Sequence, residues 1–506
     1  MDFRRWCSHR VLPFSLLSSS LLLVLAIFFS QLAPAVRANA VFPVRHKYGG
    51  SAGRAKVALR ELRAHDSRRH GRSLADVDFA VGGDGSPTSA ALYFTKVTIG
   101  TPPGDYHVQI DTGSDILWVN CKDCENCPTK TDLKIQLRQY DVGASSTGRA
   151  VGCDQEFCSA VFQDNPLQNC KAGMNCEYSV SYGDGSKTQG FFVRDTFAFD
   201  QVSGSHQTSP MDGSIAFGCS YKQSGDSSAS SSQAVDGIVG LGQANTSILS
   251  QLAQAGKVRR VFSHCLDGRK GGGVFAIGEV AEPRFNSTPL VPNQPHYNAE
   301  LESITAGDAK LRLPWDFFGL ASANRAVIDS GTTLAYLPAD MYNQVVEQVL
   351  ARQPGLKLYL LEGEFKCFSF GGEVDEGFPV VSFNFKGAPP LALRVYPRDY
   401  LFEVGDGEYC IGWQSSGVRS REGHEMTLLG DLALSDKLVV YDLERQAVGW
   451  TEHDCSTGIK LRDNASGNAY DVSATNLSGS PLLRPSSSSS SILLLLVSLA
   501  LLRLLP

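Results

Sequence analysis

Two short stretches carry the residues best suited to chemistry: Val108-Gln-Ile-Asp111-Thr112-Gly113-Ser114 and Ala326-Val-Ile-Asp329-Ser330-Gly331-Thr332. In each, a run suited to a strand ends in aspartate. A glycine then allows a tight turn, and hydroxyls on either side of it can orient carboxylate oxygens. One copy alone reads as an Asp-capped turn. Two equivalent copies change the chemistry, because carboxylates brought face to face cannot both ionise cheaply. They share a proton and titrate as a coupled pair, which supplies an acid and a base together.

The elements that would position them repeat as well. Ile238-Val239-Gly240 follows Asp111, with its glycine 129 residues on, and Leu428-Leu429-Gly430 follows Asp329, with its glycine 101 residues on. Two half-chains of one layout suit a length of 506 residues, too long for a single core. Hydrophobic residues make up 42% and charged residues 19%, with 49 glycines, the balance of a globular, turn-rich chain. Short apolar or alternating runs predict strands at Tyr93–Ile99, His107–Ile110, Ile116–Val119, Ser214–Phe217, Val274–Ile277, Ala326–Ile328, Val380–Phe385 and Leu438–Tyr441. One helix is expected from Pro338, with Met341, Val345, Val346 and Val349 on one face, and residues 224–232 read as a surface loop. The fold class is all-β.

The ordered set Asp111-Thr-Gly-Ser-Asp-Ile-Leu-Trp118-Val, Tyr182-Gly-Asp-Gly-Ser, Val235-Asp-Gly-Ile-Val-Gly-Leu-Gly and Asp329-Ser-Gly-Thr-Thr resembles the pepsin-like aspartic peptidases from Tyr93 to Cys455. Cys121-Lys-Asp-Cys124-Glu-Asn-Cys127 and Phe217-Gly-Cys219 are similar to the nepenthesin-like branch of plants. The resemblance implies a bilobal all-β fold with lobes at 93–290 and 291–455 and a central cleft. It implies water held between Asp111 and Asp329 and an extended peptide or protein substrate, with no metal and no cofactor. It assigns Tyr182 to a flap and Trp118 to holding that tyrosine. It gives Ser114 and Thr332 to the outer carboxylate oxygens, and Thr112 and Ser330 to bracing the two loops. It also implies the disulfides Cys121–Cys127 and Cys367–Cys410. Cys153/Cys158 and Cys170/Cys176 are further local candidates. The protein is expected to be a monomer.

The two ends read as processing signals. Arginines 4, 5 and 10, the apolar run 21–29 and small residues near 38–40 predict a signal peptide at 1–38. Removing it leaves twelve of the 13 cysteines, an even number that suits disulfides formed in an exported chain. Asn245, Asn286, Asn464 and Asn476 are glycosylation candidates. Residues 39–85 read as a basic pro-segment and linker, with nine Lys/Arg against two acidic residues between 45 and 72, a formal +7. Residues 93–455 hold 29 Lys/Arg against 44 Asp/Glu, a formal −15, so the whole-chain −6 averages two opposite segments. Residues 456–478 read as a stalk. Small residues at Ser478–Ser480, a polar spacer and an apolar tail place a removable glycolipid (GPI) signal at 479–506, with Ser478 as attachment candidate and the membrane as partner.

Several classes are excluded. An acidic body has no electrostatic footprint for nucleic acid. Gly49-Gly-Ser51-Ala-Gly53 matches the serine-hydrolase elbow in letters, but it falls in the stretch read as a basic pro-segment, whereas that elbow needs a strand–turn–helix at the top of a parallel sheet. Glu422-Gly-His-Glu425 lacks metallopeptidase spacing. The Cys121–Cys127 cluster suits disulfides better than zinc or redox work in an exported chain. The rival class is a catalytically silent binding protein on the same fold, whose mark would be a damaged Asp loop; a wall- or carbohydrate-binding surface protein is the second rival.

Overall fold

A computed structural model describes residues 39–46 and 93–474, apart from 132, 134, 163–169, 182–186, 225–233, 269–271, 313–323, 362–364, 388, 417–424 and 464–465. Its organising feature is a three-strand unit that occurs twice. In the first half, Gly104–Asp111 runs parallel to Gly237–Gly240, with Asp111 opposite Gly240. Leu117–Glu125 returns antiparallel on the other side of Gly237–Gly240. In the second half, Arg325–Ile328 runs parallel to Thr427–Leu429, and Ala335–Leu337 returns antiparallel to it. The sequence echo is thus a structural one: a strand, its Asp loop and a return strand, with a later strand slotted between them.

Close approach explains the glycine of the Val235-Asp-Gly motif. A Cβ on Gly237 would stand 1.9 Å from the carbonyl oxygen of Trp118. The buried Asp236 accepts the backbone N–H groups of His107 at 2.7 Å and Arg138 at 2.6 Å.

The halves are joined by pairing Val261–Leu266 with Lys437–Asp442, register Val261 to Asp442. Phe262, Tyr297 and Tyr441 pack there, with the Phe262 and Tyr441 rings stacked at 4.5 Å. Aromatic packing of this kind adds about 0.5–1.5 kcal/mol per pair beyond area burial.

Each expected strand overlaps an observed one, and Tyr93–Ile99 matches end to end. The helix spans Ala339–Ala351 with Pro338 as its N-cap, and it buries Met341, Val345, Val346 and Val349. Glu425 caps its start by accepting the Ala339 N–H at 2.9 Å. Residues 225–232 of the expected loop lie outside the described residues.

Four findings differ from the sequence reading. Cys121 bonds Cys219, not Cys127, because the Leu117–Glu125 strand lies parallel to Gln207–Ser224 with Val119 opposite Cys219; Cys127 bonds Cys124 instead. Cys153 bonds Cys170 and Cys158 bonds Cys176, so the two local pairs are exchanged for crossed ones around the short helix Glu156–Val161. Within the stretch read as pro-segment, Ala40–His46 is a strand of the central sheet, paired with Gly273–Ile277 and Tyr93–Ile99, and Ala40, Phe42 and Val44 are buried. Within the stretch read as a stalk, Ile459–Arg462 and Ala469–Val472 form a hairpin on Glu279–Glu282, burying Ile459, Leu461 and Val472. In both stretches alternate apolar residues face a sheet that linker composition conceals. Cys367–Cys410 is formed, between directly opposed residues of neighbouring strands, and Cys265–Cys455 completes the pairs among the described residues.

Candidate active site

Asp111 sits at the end of its strand, and the turn that follows folds back onto its carboxylate. The Gly113 N–H donates to Oδ1 at 2.7 Å and the Ser114 hydroxyl to Oδ2 at 2.6 Å. Asp329 is held by the same two positions, with the Gly331 N–H on Oδ1 at 3.0 Å and the Thr332 hydroxyl on Oδ2 at 2.8 Å. Both aspartates are buried, 2% and 0% exposed, which is costly for ionised carboxylates lacking such donors.

The later strands clasp these turns from behind. Leu241 N–H donates to the Asp111 carbonyl at 2.7 Å, and Gly242 N–H to that of Ser114 at 2.8 Å. In the second half Asp431 N–H donates to the Thr332 carbonyl at 2.7 Å. Gly430 must be glycine, since a Cβ there would stand 2.3 Å from the Leu334 carbonyl oxygen.

One hydroxyl bridges the loops. Thr112 Oγ1 accepts the Ser330 N–H at 2.9 Å and faces the Ile328 carbonyl at 3.5 Å. The expected reciprocal brace is missing: Ser330 Oγ is buried without a hydrogen-bond partner. Serine lacks the β-methyl by which Thr112, at the matching position, has its rotamer restricted. The loops are therefore joined asymmetrically, through Thr112.

Near Thr112 lies Tyr441, whose hydroxyl hydrogen-bonds His264 Nε2 at 3.1 Å. Burial raises the Tyr441 pKa above its ordinary value and drives that of His264 down to about 3, so both stay neutral. Neither was singled out from the sequence. Each lies in an ordinary apolar strand run, and only the pairing of Val261–Leu266 with Lys437–Asp442 brings them to the loops.

Trp118 is fully buried in a cluster with Val151, Tyr178, Phe192 and Ile238. The strands Glu177–Ser181 and Lys187–Gly204 pair with Ser181 opposite Lys187, and Tyr182, between them, lies outside the described residues. Asn245 and Asn286 are exposed; Asn464, Asn476 and Ser478 lie outside the described residues. Among the described residues, no group of three or more His, Cys, Asp or Glu side chains is arranged to hold a metal ion, and no helix is long and apolar enough to cross a membrane.

Residues 93–279 match the family described as Xylanase inhibitor N-terminal, and residues 296–452 the one described as Xylanase inhibitor C-terminal. The chain is 47% identical to Aspartic proteinase 39 of Arabidopsis thaliana, over 92% of this chain and 95% of that relative. The chain belongs to the pepsin-like aspartic proteinase family. Among other members of the aspartic proteinase family, Aspartic proteinase 36 of Arabidopsis thaliana is 47% identical over 90% and 92% of the two chains. Nepenthesin-2 of Nepenthes gracilis is 31% identical over 72% and 78%. In fold, this aspartic proteinase family member is similar to conglutin gamma of lupine seeds, with a TM-score of 0.58 at 18% identity over 82% of this chain and 95% of that one. The basic 7S globulin of soybean follows at 0.56.

Proposed function

We propose that the protein is an acid-acting endopeptidase in which Asp111 and Asp329 share one proton and activate a water molecule. One carboxylate takes a proton from the water as it attacks the scissile carbonyl, and the protonated partner donates to the carbonyl oxygen. The observation that carries the reading is the matched pair of loops. Each buried aspartate receives one backbone N–H and one hydroxyl, and Thr112 ties the loops together. The hydroxyls occupy one oxygen of each carboxylate. Substrate is an extended peptide, with Tyr182 on a closing flap.

The test is hydrolysis of a mixed peptide library between about pH 3 and pH 6 by the processed protein, alongside Asp111→Asn and Asp329→Asn. Loss of cleavage in both variants, and inhibition of the unsubstituted protein by pepstatin, are expected. Equal hydrolysis by either variant would sink the idea.

A second reading, a binding protein without turnover, draws on the Xylanase inhibitor description of both matched families. Binding of a glycoside hydrolase, with no peptide cleaved at any pH, would favour it. For location we propose export, with the basic residues 47–72, after the Ala40–His46 strand, acting as a removable gate on the acidic body and a GPI anchor at Ser478. Release of the protein from cells by a phosphatidylinositol-specific lipase tests the anchor.

A further inference from the structure

The central sheet keeps the aspartate loops on one face and the C-terminal hairpin on the other. Along Val261–Leu266 and Lys437–Asp442 the side chains alternate. Phe262 and Tyr441 pack on Tyr297, whose hydroxyl donates to the Leu241 carbonyl at 2.6 Å and whose carbonyl accepts the Ile328 N–H at 3.0 Å. Leu241 clasps the Asp111 turn and Ile328 precedes Asp329, so both loops stand on this face. Val261, Cys265, Leu438 and Val440 point the other way. They form a second apolar cluster with Ile459, Leu461 and Val472 of the hairpin.

The hairpin is fixed there by a disulfide and by hydrogen bonds. Cys455, just before it, is bonded to Cys265 of the central sheet. Asn39 Nδ2 donates to the Arg462 carbonyl at 2.7 Å. Ser205 and His206, at the turn between Lys187–Gly204 and Gln207–Ser224, hold its last strand: Ser205 Oγ donates to Asp471 Oδ2 at 3.1 Å and the His206 N–H to the Asp471 carbonyl at 2.8 Å. His206 Nδ1 lies 2.8 Å from Ser473 Oγ. Ala474, the last described residue, packs on the same cluster. Lys187, at the other end of the 18-residue strand, pairs with Ser181, next to Tyr182. Such a strand runs up to about 60 Å, so the exit of the chain and the base of the flap stand at its opposite ends.

We propose that the hairpin face of the central sheet is the side turned to the membrane and that the cleft opens away from it. The inference rests on the reading of Ser478 as anchor site and of Asp111 and Asp329 as the catalytic pair. Four residue steps separate Ala474 from Ser478, at most about 14 Å of chain, so the hairpin is the part of the body nearest the headgroups. The dyad lies two packed layers further out, about 20 Å beyond the hairpin. Substrate is then a soluble polypeptide, or a segment held well clear of the bilayer. A peptide lying against the membrane is out of reach.

The experiment displays the full protein on cells beside two membrane-anchored reporters that carry one peptide the processed protein cleaves. One holds the peptide within about 15 Å of the bilayer and the other about 60 Å above it, because a tether that cannot span two sites takes their effective concentration towards zero. The tall reporter should be cut at least about tenfold faster. A Gly/Ser spacer of about 40 residues inserted after Ala474, with a root-mean-square reach of about 35 Å, lets the body turn over and should raise cutting of the short reporter towards that of the tall one. Equal cutting of both reporters by the anchored protein overturns the proposal. So does a short reporter that the spacer leaves uncut, since orientation is then not what protects it. Retention of the protein on cells after a phosphatidylinositol-specific lipase would instead overturn the anchor reading, and hydrolysis that survives Asp111→Asn the dyad reading, so the failures are distinguishable.

Discussion

Replacing His264 by glutamine should remove a large part of the protein's sensitivity to acid. The imidazole is fully buried at the junction of the halves, with Nε2 on the Tyr441 hydroxyl and Nδ1 without a hydrogen-bond partner. Burial lowers its pKa from 6.5 to about 3. The sign follows from where protons bind. Above pH 6.5 the histidine is neutral folded and unfolded, and it contributes nothing to the pH dependence. As pH falls below 6.5 the unfolded chain takes up a proton that the folded protein refuses, so stability declines until about pH 3. Each pH unit in that window is worth about 1.4 kcal/mol, so going from pH 7 to about pH 4.5 costs about 2.5 kcal/mol through this one group. Glutamine has no titration there and can still reach Tyr441. The assay is urea unfolding, followed by tryptophan fluorescence, at both pH values for both proteins. The histidine protein should lose about 2.5 kcal/mol more than the variant. Parallel losses would refute the reasoning, because every other titrating group is common to the pair.

The asymmetric brace predicts unequal costs. Thr112→Val strands the Ser330 N–H and should cost about 1–3 kcal/mol and lower kcat, whereas Ser330→Ala removes a hydroxyl that bonds nothing and should stay within about 1 kcal/mol. Thermal melts and peptide turnover check both. Gly237→Ala places a Cβ against the Trp118 backbone and should destabilise by more than about 3 kcal/mol, seen as loss of folded protein on expression. Removing Cys265–Cys455, which spans 190 residues, by paired serine substitutions should cost up to about 5 kcal/mol, read as a lower urea midpoint.

The sequence was most legible where local pattern and tertiary role coincide. The Asp111 and Asp329 loops could be placed because their donors lie two and three residues away, inside the motif itself. The strands and the Ala339–Ala351 helix could be placed because their apolar periodicities face a core. What depended on distant neighbours was not legible. Cys121 pairs with Cys219 because of a parallel strand contact, and no spacing rule reaches across 98 residues. Tyr441 and His264 look like ordinary strand residues until the halves are joined. The Ala40–His46 strand was concealed by the basic composition that follows it.

That strand bears on how the protein could be processed. With Ala40, Phe42 and Val44 buried and its backbone paired to Gly273–Ile277 on one side and Tyr93–Ile99 on the other, residues 40–46 are held independently of the chain that follows them. A single cut between residues 47 and 92 would leave two polypeptides in one folded body. Purified under native conditions, such a protein would show two amino termini on sequencing, and the shorter peptide would separate only on denaturation.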